Sequence, residues 1–194
     1  DTTSTTNTIT IKAEKDQTAE VTISDVNIDV SGTGKYGTTP GTRVEGDAAI
    51  SAEGDGNVTI ELEGDNTAAS GVFRAGVEKN NSGNLTITDA DADGALNATG
   101  GKYGAGIGGG DDKSVSNITI EGGDITAIGG QDSAGIGGGA SGSGSNITIE
   151  GNAQVDAAGS LNSATGGAGI GGGAGGKGSD ITIGGNAEVT ATGG

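Results

Sequence analysis

Asn117-Ile-Thr-Ile-Glu121 is one of six near-copies of a single short strand. The others are Glu20-Val-Thr-Ile-Ser24, Asn57-Val-Thr-Ile-Glu61, Asn84-Leu-Thr-Ile-Thr88, Asn146-Ile-Thr-Ile-Glu150 and Asp180-Ile-Thr-Ile-Gly184. Their starts lie 37, 27, 33, 29 and 34 residues apart. A motif returning at about thirty residues marks a stacked repeat, in which each unit buries its apolar side against its neighbours.

Working outward, a second strand follows the first in Asn27-Ile-Asp-Val, Ala95-Leu-Asn-Ala, Asp124-Ile-Thr-Ala, Gln154-Val-Asp-Ala and Glu188-Val-Thr-Ala. A third is read after a variable loop at Ala48-Ala-Ile50, Ser70-Gly-Val72, Ala105-Gly-Ile107, Ala134-Gly-Ile136 and Ala168-Gly-Ile170. Three short strands per repeat, each alternating with period two, predict one coil of a parallel β-helix. The expected fold is therefore all-β: a right-handed single-stranded solenoid of about six coils, each roughly 27–37 residues long. Alternation points Ile118 and Ile120 inward and Asn117, Thr119 and Glu121 outward. Residues 1–19 read as an N-terminal cap segment and residues 20–194 as the repeats. The sequence stops after the second strand of a sixth coil, so further coils are expected beyond it.

Composition agrees. The chain has 44 glycines but only two tyrosines, one phenylalanine and no Trp, Met, Cys or His. Thin columns of Ile, Val, Leu and Ala can fill a solenoid without aromatics. The net charge of −17 disfavours nucleic acid and anionic lipid as partners and suits divalent cations. There is no twenty-residue apolar run, so membrane insertion is not expected.

Asn-Ile-Thr-Ile followed by Val/Ile-Thr-Ala and then by Ala-Gly-Ile-Gly-Gly-Gly, over roughly residues 57–194, resembles the glycine-rich repeats of surface-anchored, adhesin-like proteins of Gram-positive gut bacteria. The resemblance implies extracellular display at a cell surface, within a longer multidomain chain, and brings no catalytic residues with it.

Several departures from the repeat could carry chemistry. Asp89-Ala-Asp91-Ala-Asp93-Gly94 places alternate carboxylates before a turn glycine, as calcium loops begin. Asp89, Asp91 and Asp93 are the expected Ca²⁺ ligands, with Glu63 and Asp65 as candidates to complete the shell. A solvated acidic turn is the plainer alternative. Glu61, Glu121 and Glu150 form an outward column expected to be a solvated face, and the Thr column starting at Thr22 resembles ice-binding arrays only weakly. If Ala105 and Ile107 point inward, Gly106, Gly108 and their equivalents point outward as a bare strip. Glycine in strands marks close approach of a ligand or another backbone, the alternative being that it simply eases tight corners and loops. Tyr36, Phe73, Arg74, Lys102 and Tyr103 lie near that strip and are the expected ligand-binding residues, with sugar rings stacking on tyrosine; ordinary anchoring of the loops by tyrosine is the plainer alternative.

Lack of His and Cys removes the Ser–His and Cys–His catalytic systems. The expected function is a non-catalytic, extracellular adhesin-like or stalk module stabilised by calcium. A host or environmental polysaccharide or glycoprotein is its expected partner. The main alternative is a carbohydrate-binding module using the glycine-lined face. A calcium-dependent polysaccharide lyase and an ice-binding protein rank behind it.

Overall fold

The computed structural model describes residues 3–37, 39, 42–160 and 165–194. Apolar residues recur every second position along the predicted strands, and they form strands because only a sheet turns that spacing into one buried side. The first coil holds β1 (Ile9–Ala13), β2 (Thr18–Ser24) and β3 (Asn27–Asp29). The next two hold β4 (Ile50–Gly54), β5 (Asn57–Glu63) and β6 (Asp65–Ala69), then β7 (Val77–Lys79), β8 (Leu85–Thr88) and β9 (Ala95–Thr99). The last three run through β10 (Ile107–Gly108), β11 (Val115–Ile120), β12 (Asp124–Ile128), β13 (Ile136–Gly137), β14 (Gly144–Ile149), β15 (Gln154–Ala158), β16 (Ile170–Gly171), β17 (Gly178–Ile183) and β18 (Glu188–Thr192).

Every third strand joins the same sheet. Three six-stranded sheets result, one starting at β1, one at β2 and one at β3, and every pairing between strands is parallel. This is the β-solenoid the repeat predicts, with three strands per coil. Among the described residues there is no helix, so none is long and apolar enough to cross a membrane.

In the sheet of the opening motif, Val58, Leu85, Ile118 and Ile147 stack in one inward column and Ile60, Ile87, Ile120 and Ile149 in another. All eight are fully buried. Burial of each such side chain stabilises by roughly 1.5–3 kcal/mol. Ala68, Ala98, Ala127 and Ala157 form a third, thinner buried column in the neighbouring sheet.

Two registers differ from the sequence reading. Ala19, Val21 and Ile23 pair with Val58, Ile60 and Leu62, so Glu20 lies opposite Thr59 and Thr22 opposite Glu61. The first copy of the motif is thus offset by two residues and Thr22 is outside the Thr column. Matching apolar faces sets the register, and an even shift keeps those faces inward. In the third coil the inner strand is Val77–Lys79, not the segment containing Val72, because Gly71 to Arg74 forms a tight turn closed by Arg74 N–H donating to Gly71 O at 3.1 Å. Ala75-Gly76-Val77 is the true copy of Ala-Gly-Ile, and Ser70-Gly-Val72 mimics it.

The strand β6, absent from the sequence reading, has Asn66 where later coils have Leu96, Ile125 and Val155. Asn66 is fully buried yet satisfied: its Oδ1 accepts from Val26 N–H at 3.0 Å, and its Nδ2 donates to Glu63 O at 3.0 Å and Ala95 O at 3.2 Å. A hydrogen-bonded amide thus replaces an aliphatic side chain in the core.

Candidate functional site

The acidic corner lies between β8 and β9, where residues 89–94 lengthen the turn. Carboxylate oxygens of Glu61, Asp89 and Asp91 come within 4.8 Å of one another. Glu61 enters from the neighbouring rung because Thr88 pairs with it across β5 and β8. Its carboxylate accepts from the Thr88 hydroxyl and from Ala90 N–H, the latter at 2.7 Å. The structure therefore brings Asp89 and Asp91 together with Glu61, read from sequence as plain solvated surface. Asp93 is outside the trio, and Asp91 and then Asp89 beside it push its carboxyl above the usual aspartate range. Ca²⁺ takes six to eight oxygens, so three carboxylates with free lone pairs and open solvent suit its chemistry without filling its shell.

The glycine strip is not an outward face. Gly104 through Gly110 are buried. A Cβ on Gly106 would lie 2.6 Å from Ile128 N, and one on Gly108, where φ is +138°, only 2.0 Å from Gly137 O. Of the readings of these glycines, approach of another backbone is the one realised here. These glycines let the short inner strands β10, β13 and β16 press against their neighbours, leaving no bare strip on which a ligand could lie.

The inner strands β7, β10, β13 and β16 are only two or three residues long, so the turn before one of them comes together with the turn after the next. The turn before carries Phe73, Tyr103 and Asp132 in successive coils, each with positive φ at 74°, 73° and 64°. The turn after carries Asp111, Ala140 and Ala174, whose N–H groups donate to Phe73 O, Tyr103 O and Asp132 O at 3.0, 3.1 and 2.7 Å. A groove follows this seam, with a volume of about 550 Å³.

One end of the groove is roofed by a small hairpin in which Lys35 and Val44 bridge antiparallel. The hairpin delivers Tyr36 and Arg43. Tyr36 packs on Phe73 and Tyr103 at centroid distances of 6.0 and 5.4 Å, while Phe73 and Tyr103 stack at 5.9 Å and 14°. The Arg43 guanidinium lies 3.9 Å over the Phe73 ring and bonds Asp111 at 2.8 Å. Lys102 Nζ sits 4.1 Å from the Tyr36 ring centroid and 5.0 Å from that of Tyr103. Burial, a hydrogen bond with Tyr36 and the nearby Asp132 and Asp111 carboxylates push the Tyr103 phenol up to about 12. Burial and Asp112 likewise raise the Asp111 carboxyl against the opposing pull of Arg43.

No family model, curated protein or solved structure matches this chain.

Four of the five residues expected to bind ligand do converge: Tyr36, Phe73, Tyr103 and, over the rings, Lys102. Their roles differ. Tyr36 is 52% exposed, whereas Phe73 is 3% exposed and serves as the buried foot of the cluster. Arg74 turns away, donating to Gly46 O at 3.1 Å and pairing with Glu45 and Glu78 at 2.7 and 2.9 Å. Arg43 takes the place expected for it. Sequence reasoning did not place Arg43, Asp111, Asp132 or Thr165 in this groove, though all four line it. Asp132 was within reach, since it follows Gly129-Gly130-Gln131 as Tyr103 follows Gly100-Gly101-Lys102.

Proposed function

We propose that this chain is a non-catalytic, adhesin-like carbohydrate-recognition module displayed at a cell surface, with the solenoid acting as its stiff stalk. The observation that carries the reading is the exposed Tyr36 ring, held beside Tyr103 on a buried Phe73 foot at the mouth of the groove. Aromatic rings with an apolar face and a polar tip suit the alternating C–H and hydroxyl surfaces of sugars. Catalysis is not part of the proposal, because the sequence has no His or Cys and the groove pairs its cation, Arg43, with Asp111 rather than leaving it poised. Calcium at Glu61, Asp89 and Asp91 is the second element of the reading, supported by their convergence within 4.8 Å.

Binding to an array of immobilised glycans tests the function, with wild type compared against Tyr36→Ala. The wild type should retain at least one class of glycan and the variant should lose it. Equal retention by both proteins, or no glycan bound by either, would overturn the reading. Tyr36 is exposed on a hairpin outside the core, so its loss leaves the solenoid columns intact.

A further inference from the structure

The geometry points to a more specific ligand for this groove: a neutral glycan chain laid along the solenoid axis, one sugar unit per coil. This inference rests on the carbohydrate reading above and adds class, direction and length to it.

The direction follows from the seam. The turns from Gly71 to Arg74, Gly101 to Gly104 and Gly130 to Ser133 are each closed by the same hydrogen bond, at 3.1, 2.9 and 3.1 Å. Phe73, Tyr103 and Asp132 therefore repeat once per coil, at a rise of about 4.8 Å. An extended chain of pyranose units advances by a similar step, so successive sugars meet equivalent positions. The opposite wall lowers along the same line, from Asp111 to Ala140 to Ala174. The Phe73 rung is closed over by Arg43 and the Tyr103 ring is flanked by Tyr36 and Lys102, so the groove runs from the edge of Tyr103 past Asp132 to Thr165. That leaves room for about three sugars at a coil rise of about 4.8 Å.

The backbone supports a role for these side chains. The third position of such a turn needs positive φ, where glycine is the unstrained residue. Phe73 and Tyr103 hold it at a cost of order 1 kcal/mol each, and bulky residues kept in that region cluster at functional sites.

The class follows from charge. Asp132 accepts from the Thr165 hydroxyl at 3.0 Å, and a carboxylate has lone pairs for several donors. Sugar hydroxyls donate to such groups, whereas the carboxylates of uronic acids are repelled by Asp132 and the net charge of −17, Arg43 neutralising Asp111. A neutral sugar would stack on Tyr36 and Tyr103 and donate its hydroxyls toward Asp132.

Titration calorimetry with neutral oligosaccharides of one to six units, taken from the glycan class the array identifies, tests this, alongside uronic-acid oligomers of matched length. Affinity should climb to about three units and then level, and uronic-acid oligomers should bind at least tenfold more weakly. Asp132→Asn should weaken the trisaccharide about tenfold, as expected for loss of a charged acceptor. Asn tolerates positive φ well, so this variant keeps its turn, and an unchanged melting temperature would confirm it. Stronger binding of uronic-acid oligomers, equal affinity for one and three units, or an unaffected Asp132→Asn would overturn this inference while leaving the carbohydrate reading standing. Absence of binding to every glycan would overturn both.

Discussion

At the scale of single residues, the acidic corner holds more negative charge than its folded geometry favours. The Asp93 carboxyl is raised because Asp91 and Asp89 are fixed beside it, so the folded chain binds its proton more tightly than the unfolded chain does. Stability therefore falls as pH rises through the window just above the ordinary aspartate range, and the loss persists at neutral pH. Asp93→Asn should raise the melting temperature near pH 7 and make no difference at about pH 3. Calcium at the proposed site would relieve the same repulsion. Millimolar Ca²⁺ should raise the wild-type melting temperature, EDTA should reverse it, and Asp91→Ala should abolish the response. A melting temperature indifferent to both reagents would remove calcium from the corner.

At the scale of elements, the inner strands depend on glycine for a steric reason. A Cβ on Gly137 would stand 2.0 Å from Gly171 O, on a backbone with φ of +131°, and only chain atoms surround it. Gly137→Ala should destabilise by ~2 kcal/mol or more in urea melts, since neither the backbone angle nor the neighbour can yield cheaply. Gly184→Ala is the control. Nothing lies within 4 Å of that position, so its effect should stay within ~0.5 kcal/mol. Equal tolerance at both sites would mean the close stacking of β10, β13 and β16 is not what glycine provides.

At the scale of the whole molecule, stability at high pH should reflect two groups with opposite slopes. Lys79 is buried, its Nζ donating to Asn81 O, Asn81 Oδ1 and Gly83 O at 2.9, 3.0 and 2.7 Å, and burial lowers it to about 8. Between that value and its ordinary value of 10.5, the unfolded chain holds the extra proton, so this group adds stability as pH rises. Tyr103 behaves oppositely: its folded value of about 12 lies above the ordinary value of 10.0, so stability falls across that interval. The difference in unfolding free energy between wild type and Lys79→Met should grow from about pH 8 to about pH 10. A flat difference would show that the lysine is not titrating in the folded state.

The repeat of Asn-Ile-Thr-Ile, the alternation within it and the near absence of aromatics determined the solenoid and its inward columns without help from the tertiary structure. A buried column needs the same kind of residue at the same place in every coil, and such a demand is written directly into the sequence. Where one coil broke the rule, the sequence was silent or misleading. Asn66 hid β6 because its core position is satisfied by hydrogen bonds rather than apolar contact, and Ser70-Gly-Val72 imitated a strand that begins at Val77. Only the tertiary structure decided that Glu61 joins Asp89 and Asp91, that Arg43 rather than Arg74 covers the aromatic cluster, and that the glycine strip faces its own backbone. Each of these contacts joins residues some thirty positions apart or crosses from one sheet to the next. Stacking of the coils sets such distances, and no local pattern in the chain records them.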